Sequence, residues 1–212
     1  MKGLILKDIY NMKGYGKSLL FIILIFALAF KEQGSATLIV TFTIMSSILI
    51  INSLAQDEIY KWYQMALSMP VTCHQLILAK YIVSAGYAFA ALLTGTLVSV
   101  ILQASGWFPA EDITSILAVM AVSFLIALLF IALIIPVNLK FGVQKGRLLL
   151  LSLVALPLLL TMVVAALGAT IPSVMFYGLS PYAIVFGSIA AVAVLVVVSY
   201  FISVRIMSKK EF

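Results

Sequence analysis

Charge is scarce in this chain. Of its 212 residues only 9% are Asp, Glu, Lys or Arg, and it holds one histidine, His74, and one cysteine, Cys73. A single cysteine forms no internal disulfide, so a disulfide-stapled extracellular scaffold is excluded. A single histidine with no clustered acid beside it supplies neither a metal site nor a nucleophile with its base. Ionisable side chains are also missing from the middle of every apolar run, where proton relays and ion-coupled sites keep them at a cost of roughly 2.5 to 3.5 kcal/mol per charge. Their absence disfavours ion coupling, although a sodium site built from backbone carbonyls needs no such side chain. The fragment Gly14-Tyr15-Gly16-Lys17-Ser18 resembles the end of a phosphate-binding loop, but position 11, where that pattern requires glycine, is Asn11. The chain carries no recognisable ATP site.

What is abundant is apolar surface. Hydrophobic residues make up 65% of the sequence, and the mean hydropathy is +1.25. No single soluble core could hide that much, and the apolar runs approach the roughly 20 residues that span a bilayer. They are apolar on every face rather than alternating with a period of two, which predicts helices and not a membrane barrel. The sequence predicts a single all-α integral membrane domain over residues 1–212 with six transmembrane helices, at about 17–30, 35–55, 76–102, 113–137, 148–167 and 183–204.

Basic residues set the orientation. Lys2, Lys7, Lys13 and Lys17 precede the first span, Lys61 and Lys80 lie around the second loop, Lys140, Lys145 and Arg147 fill the fourth, and Arg205, Lys209 and Lys210 close the chain. Only Lys31 falls on the other side, beside Glu32, Glu111 and Asp112. The asymmetry predicts both termini in the cytoplasm. The net charge of +6 is then a topology signal and an attraction to anionic membrane lipid, with no nucleic acid needed to explain it. Leu4, Ile5, Ile9 and Met12 recur at helical spacing over about residues 1–15, predicting an amphipathic helix in the interface; this basic, patterned start argues against a signal peptide, despite the small-residue run Ala27-Leu28-Ala29.

One polar stretch interrupts the oil. From Asp57 to Pro70, Ile59, Trp62, Tyr63 and Ala66 fall on one helical face, with Glu58, Lys61, Gln64 and Ser68 mostly off it. This predicts a short amphipathic helix between the second and third spans, ended by Pro70. Thr72 and Gln75 then read as a capping box that starts the third span. A rigid aromatic such as Trp62 ringed by charge suits docking into a partner's groove, though an interfacial helix floating at the headgroups has the same composition. Pro157 is placed to kink the fifth span. Helix breakers and aromatics between Gly168 and Pro181, among them Pro172, Phe176, Tyr177 and Pro181, mark an extracellular gate or an ordinary loop.

The start, MKGLILKDIYNMKGYG, together with DEIYKWYQMALSMPVTCHQLILAKYI after the second span, resembles the membrane subunit of type 2 ATP-binding cassette exporters. It is similar to small bacterial permeases with a cytoplasmic Trp, a Leu-Ser-x-Pro corner and a Lys-Tyr pair entering the third span, here Trp62, Leu67-Ser68-Met69-Pro70 and Lys80-Tyr81. The resemblance implies that residues 57–70 are the coupling helix that touches the ATPase, with Asp57, Glu58, Lys61, Trp62, Tyr63, Ala66, Leu67, Ser68 and Pro70 as its interface. It further implies a non-enzymatic half-transporter in the bacterial plasma membrane. Such a chain pairs with a second permease copy or paralogue and with cytoplasmic ABC ATPase subunits, which bind ATP and magnesium, and it exports an amphipathic peptide or lipid-like cargo. A stand-alone secondary transporter, or a membrane scaffold holding a signalling domain, remains open on the residues alone.

Overall fold

The computed structural model describes residues 2–14, 16–29, 34–109, 111–152 and 181–209, and among them every regular element is an α-helix. In chain order these are α1 (Lys2–Lys13), α2 (Gly16–Ala29), α3 (Ser35–Ile48), α4 (Ile50–Ile59), α5 (Trp62–Leu67), α6 (Cys73–Ala104) and α7 (Ile113–Phe141). Residues 143–152 are helical and are labelled α8, and α9 runs over Pro181–Lys209.

Four helical stretches among the described residues are long and apolar enough to cross a bilayer: Ser35–Ile59, Cys73–Ala104, Ile113–Phe141 and Phe186–Lys209. They correspond to the second, third, fourth and sixth spans read from the sequence. The first, α2, has 14 residues, about 21 Å at 1.5 Å per residue, less than the roughly 30 Å hydrocarbon core. Beyond residue 152 the expected fifth span, with Pro157, lies outside the described residues. Leu97, Ile101, Leu117 and Val194 stay exposed on the long helices, as lipid-facing side chains do.

The long helices pack through small residues. Ser84, Ala88, Ala91, Gly95 and Ser99 form a buried stripe at helical spacing along α6, and α3 and α6 lie against each other. A Cβ at Gly95 would sit 3.3 Å from the Phe42 ring, so the absent side chain sets how closely α3 approaches, the usual device for packing helices in lipid. Several hydroxyls in this region are satisfied within their own helices. Thr43 donates to the Ile39 carbonyl at 2.7 Å, Ser47 to Thr43 at 2.9 Å and Ser84 to Lys80 at 2.6 Å. Such back-bonding bends helices. The Ser47 bond lies one turn before Leu49, where α3 passes into α4 and the Leu49 amide reaches the Ser46 carbonyl at 3.2 Å.

α3 also packs on α7, α9 packs on α7 and α6, and α1 lies across α6 and α4. Met12 of α1, Leu54 of α4, Tyr63 and Ala66 of α5, Leu76 of α6, Leu139 of α7 and Met207 of α9 belong to one buried apolar cluster. That cluster defines one end of the bundle, where α1, α5, the start of α6 and the ends of α4, α7 and α9 meet.

Candidate functional site

The stretch read as one amphipathic helix is two pieces. α4 ends at Ile59, Tyr60 and Lys61 turn the chain, and α5 begins at Trp62. Lys61 takes a left-handed conformation, φ 49° and ψ 37°, which a non-glycine residue adopts at some cost. The turn takes Ile59 off the face that carries Trp62, Tyr63 and Ala66. Tyr63 and Ala66 are buried at 8% and 1% exposure, whereas Ile59, Tyr60 and Met65 are 74%, 75% and 54% exposed. Of the residues chosen from the sequence as the docking face, Tyr63 and Ala66 therefore hold α5 to the bundle, while Glu58 and Lys61 are exposed. Trp62 is half-buried against the same apolar cluster. Ser68 and Pro70 are exposed, and the Leu67 side chain lies outside the described residues.

Beyond Pro70 the chain enters α6 through a capping box. The Gln75 amide donates to Thr72 Oγ1 at 3.3 Å, and the Thr72 amide donates to Gln75 Oε1 at 3.4 Å. This closes two of the free donors at the helix start and fixes the exit direction of α5 relative to α6.

Beneath α5 lies a four-charge network that sequence reading assigned to other tasks. Asp8 of α1, Asp57 of α4 and Lys80 of α6 are each almost wholly buried, and Lys7 is partly so. Lys80 Nζ is 2.6 Å from Asp8 Oδ1 and 2.6 Å from Asp57 Oδ2. Lys7 is ion-paired with Asp57 and lies 3.2 Å from Asp8 Oδ1. Ser53 of α4 donates to Asp8 at 3.0 Å and accepts from Lys80 at 2.8 Å. Two cations and two anions balance, so no net charge is left in the low-dielectric interior. Lys7 Nζ also sits 4.6 Å from the centre of the Trp62 ring, a cation–π distance. One cluster thus joins α1, α4, α5 and α6.

Three readings change accordingly. Asp57 is an internal ion-pair partner and not a surface contact. Lys80, read as a basic residue at the entry to the third span, is buried in α6. Asp8, with Leu4, Ile5 and Met12, faces inward on α1, whereas Ile9 is 40% exposed. The signal in the sequence was the presence of acids, Asp8 and Asp57 among them, in segments where basic residues predominate.

Glu58 leaves the network in another direction. Its Oε2 accepts from the Val143 amide at 2.8 Å, at the point where Gly142 ends α7 with φ 78° and ψ 164° and α8 begins. A carboxylate on the first amides of a helix is favoured by its dipole. The basic residues expected in a fourth loop thus lie in helices on either side of Gly142, with Lys140 in α7 and Lys145 and Arg147 in α8. Between the α4–α5 turn and the end of α7 is a cavity of about 160 Å³ that reaches Asp57, Tyr63 and Asn138. Burial, and then the negative charges of Asp57, Asp8 and Glu58, push the Tyr63 phenol well above its ordinary value, so it stays neutral.

Of the residues read as an external gate, Pro172, Phe176 and Tyr177 lie outside the described residues, and Pro181 is the first residue of α9. Among the described residues no group of three or more His, Cys, Asp or Glu is placed to hold a metal ion.

A family model described as ABC-2 family transporter protein matches residues 3–208, nearly the whole chain. No curated protein and no solved structure matches it.

Proposed function

The chain belongs to the ABC-2 family of transporter membrane proteins, and from that premise we propose that it is an exporter permease whose α4–α5 corner receives the stroke of a separate ATPase. It is an integral membrane component of an ABC transporter, a class that typically pairs with a cytoplasmic ATPase subunit. The carrying observation is the corner itself. Ile59 at the end of α4, Tyr60 in the turn and Met65 on α5 project outward, and the corner is anchored from behind by buried charges on α1, α4 and α6. Exposed apolar side chains on a rigid mount suit a groove in a partner.

In this reading the α1 end of the bundle faces the cytoplasm, as the basic residues predict, and the membrane is a bacterial plasma membrane. Two such permeases, identical or paralogous, enclose the path, and two ATPase subunits bind ATP and magnesium. Nucleotide-driven closure displaces α5, and the ionic network makes α1 and α6 move with it. The cargo is an amphipathic peptide or lipid-like molecule entering from the cytoplasm or the inner leaflet.

The test is co-purification of the tagged chain from its native membrane in mild detergent, with mass spectrometry of what accompanies it. A soluble cassette ATPase should follow the wild type. Tyr60→Ala with Met65→Ala should weaken its capture by about 2 kcal/mol or more if the two are hot spots. Trp62→Ala should also weaken it, through loss of the support under α5. An ATPase captured equally by all variants would remove the corner as the docking site, and none with any of them, even after crosslinking, would remove ATP coupling.

A further inference from the structure

Two adjoining hollows share one side chain, Arg147. The first, about 680 Å³, is a cleft at the α4–α8 corner whose walls include Ile59, Phe141 and Leu148 and whose polar groups are Glu58, Gln144, Lys145 and Arg147. The second, about 410 Å³, is a slot walled by Ile44, Ile48 and Ile51 on α3 and α4 and by Phe130 and Ile134 on α7. Leu150 and Leu151 of α8 close it, and apart from Asn52 and Arg147 every side chain lining it is apolar. Its volume is that of a small-molecule site. From Asn52 back to Ile44 is eight residues, about 12 Å along the helix, so the slot runs inward from the level of Arg147 toward the middle of the bilayer.

Charge distinguishes this slot from a bare apolar groove. Arg147 and Lys145 are exposed and neither has an ion-pair partner among the described residues. Glu58, the one acid in the cleft, already accepts from the Val143 amide. Two unneutralised cations at the mouth of a slot lined by aliphatic and aromatic side chains complement a ligand with an anionic head and a hydrocarbon tail. A guanidinium forks onto phosphate oxygens.

We propose that Arg147 and Lys145 hold the phosphate of an anionic phospholipid whose acyl chain fills the slot between α3, α4 and α7. Because Glu58 of the cleft lies between the α4–α5 corner and the start of α8, a lipid bound there rests against the joint that the coupling corner moves. The inference requires only that the chain sits in a bilayer and does not depend on ATPase docking.

The experiment is photolabelling of the purified chain, with whatever subunits accompany it, in phosphatidylcholine nanodiscs. Trace phosphatidylglycerol or phosphatidylcholine with a diazirine in the acyl chain is added, and the labelled peptides are mapped. Phosphatidylglycerol should label the α3 and α7 walls severalfold more than phosphatidylcholine does. Arg147→Gln with Lys145→Gln should bring the two lipids level, and Ile48→Trp, which fills the slot, should lower both. Unlabelled phosphatidylglycerol should compete on the wild type, a check that needs no variant to fold. Equal labelling by the two lipids, or an unchanged preference in the charge variant, would overturn the proposal. So would displacement of the label by inorganic phosphate alone, or by an amphipathic peptide but not by unlabelled phosphatidylglycerol. Charge-selective labelling in a preparation without ATPase would uphold this site while the coupling reading failed.

Discussion

Ser199 of α9 fills the gap that Pro136 opens in α7. Proline has no amide hydrogen, so the carbonyl one turn earlier, that of Ala132, loses its helical donor. The Ser199 hydroxyl donates to that carbonyl. Because its proton is committed there, the Tyr81 phenol, 2.6 Å from Ser199 Oγ, must be the donor in their contact. Ser203 lies 3.2 Å from the same phenol. A backbone defect in one helix is thereby turned into a polar tie among α6, α7 and α9.

A double-mutant cycle tests that tie. Ser199→Ala leaves the buried Ala132 carbonyl without a donor and the Tyr81 phenol with Ser203 alone, and should lower stability by roughly 1–3 kcal/mol. Pro136→Ala returns the missing amide, so Ser199→Ala should cost less in that background, with a coupling energy on the order of 1 kcal/mol. Thermal unfolding in detergent, followed by a thiol-reactive dye at the half-buried Cys73, reads both. Strict additivity would show that Ser199 does not serve the proline gap.

The charge network makes a second prediction, about balance. Lys80→Met strands Asp8 and Asp57 with Lys7 alone, and breaking a buried pair from one side should cost about 3–5 kcal/mol. Lys80→Met combined with Asp8→Leu removes one charge of each sign and leaves Asp57 with Lys7, so much of the loss should return. Lys7→Met should be milder, since the Lys7 side chain is 22% exposed and its charge is already partly screened by water. The same dye assay compares the three. If the double variant were as unstable as the sum of its parts, charge balance would not be what the cluster provides.

What the sequence disclosed and what it hid follow from range. Long apolar runs are read one residue at a time, and four of them correspond to helices of membrane-spanning length. The cap of α6 needs only Thr72 and Gln75, three apart, so a local pattern contains it. Asp8 and Lys80 are 72 positions apart, and nothing in either neighbourhood says that they meet. The positive-inside pattern gave a sufficient account of Lys7 and Lys80 as topology charges, so their pairing raised no question. The break at Lys61 escaped for a different reason. Helix termini are usually announced by glycine or proline, and here a lysine takes the left-handed turn, so the apolar period ran straight through it and placed Ile59 on the wrong face.

Gly142 offers a test of the joint between the coupling corner and α8. Its φ of 78° and ψ of 164° are nearly confined to glycine, and a Cβ there would lie 2.9 Å from Glu58 Oε1. Gly142→Ala should therefore cost roughly 1–3 kcal/mol and displace Glu58 from the Val143 amide. Gly146→Ala should be worse, because its Cβ would meet Asn138 Oδ1 at 2.6 Å and the Asn138 backbone at 3.1 Å. Hydrogen exchange at the Val143 amide separates the two effects. Exchange unchanged by Gly142→Ala would mean that Glu58 keeps its bond and that the joint tolerates a side chain.

The last prediction concerns pH and Tyr63. Burial first, and then the negative charges of Asp57, Asp8 and Glu58, raise its phenol well above the ordinary value, which is near 10. In the unfolded chain the phenol loses its proton near that ordinary value, whereas in the folded chain it keeps it. Above that pH the folded state holds more protons than the unfolded one, so stability falls as pH rises. The contribution from neutral Tyr63 is complete below the unfolded value and is lost as pH climbs toward the folded one. Tyr63→Phe removes the group from both states and should flatten the fall at alkaline pH. Stability curves of wild type and variant over the alkaline range decide it. Parallel curves would mean that Tyr63 ionises as readily in the fold as outside it, and that the floor beneath α5 is open to water.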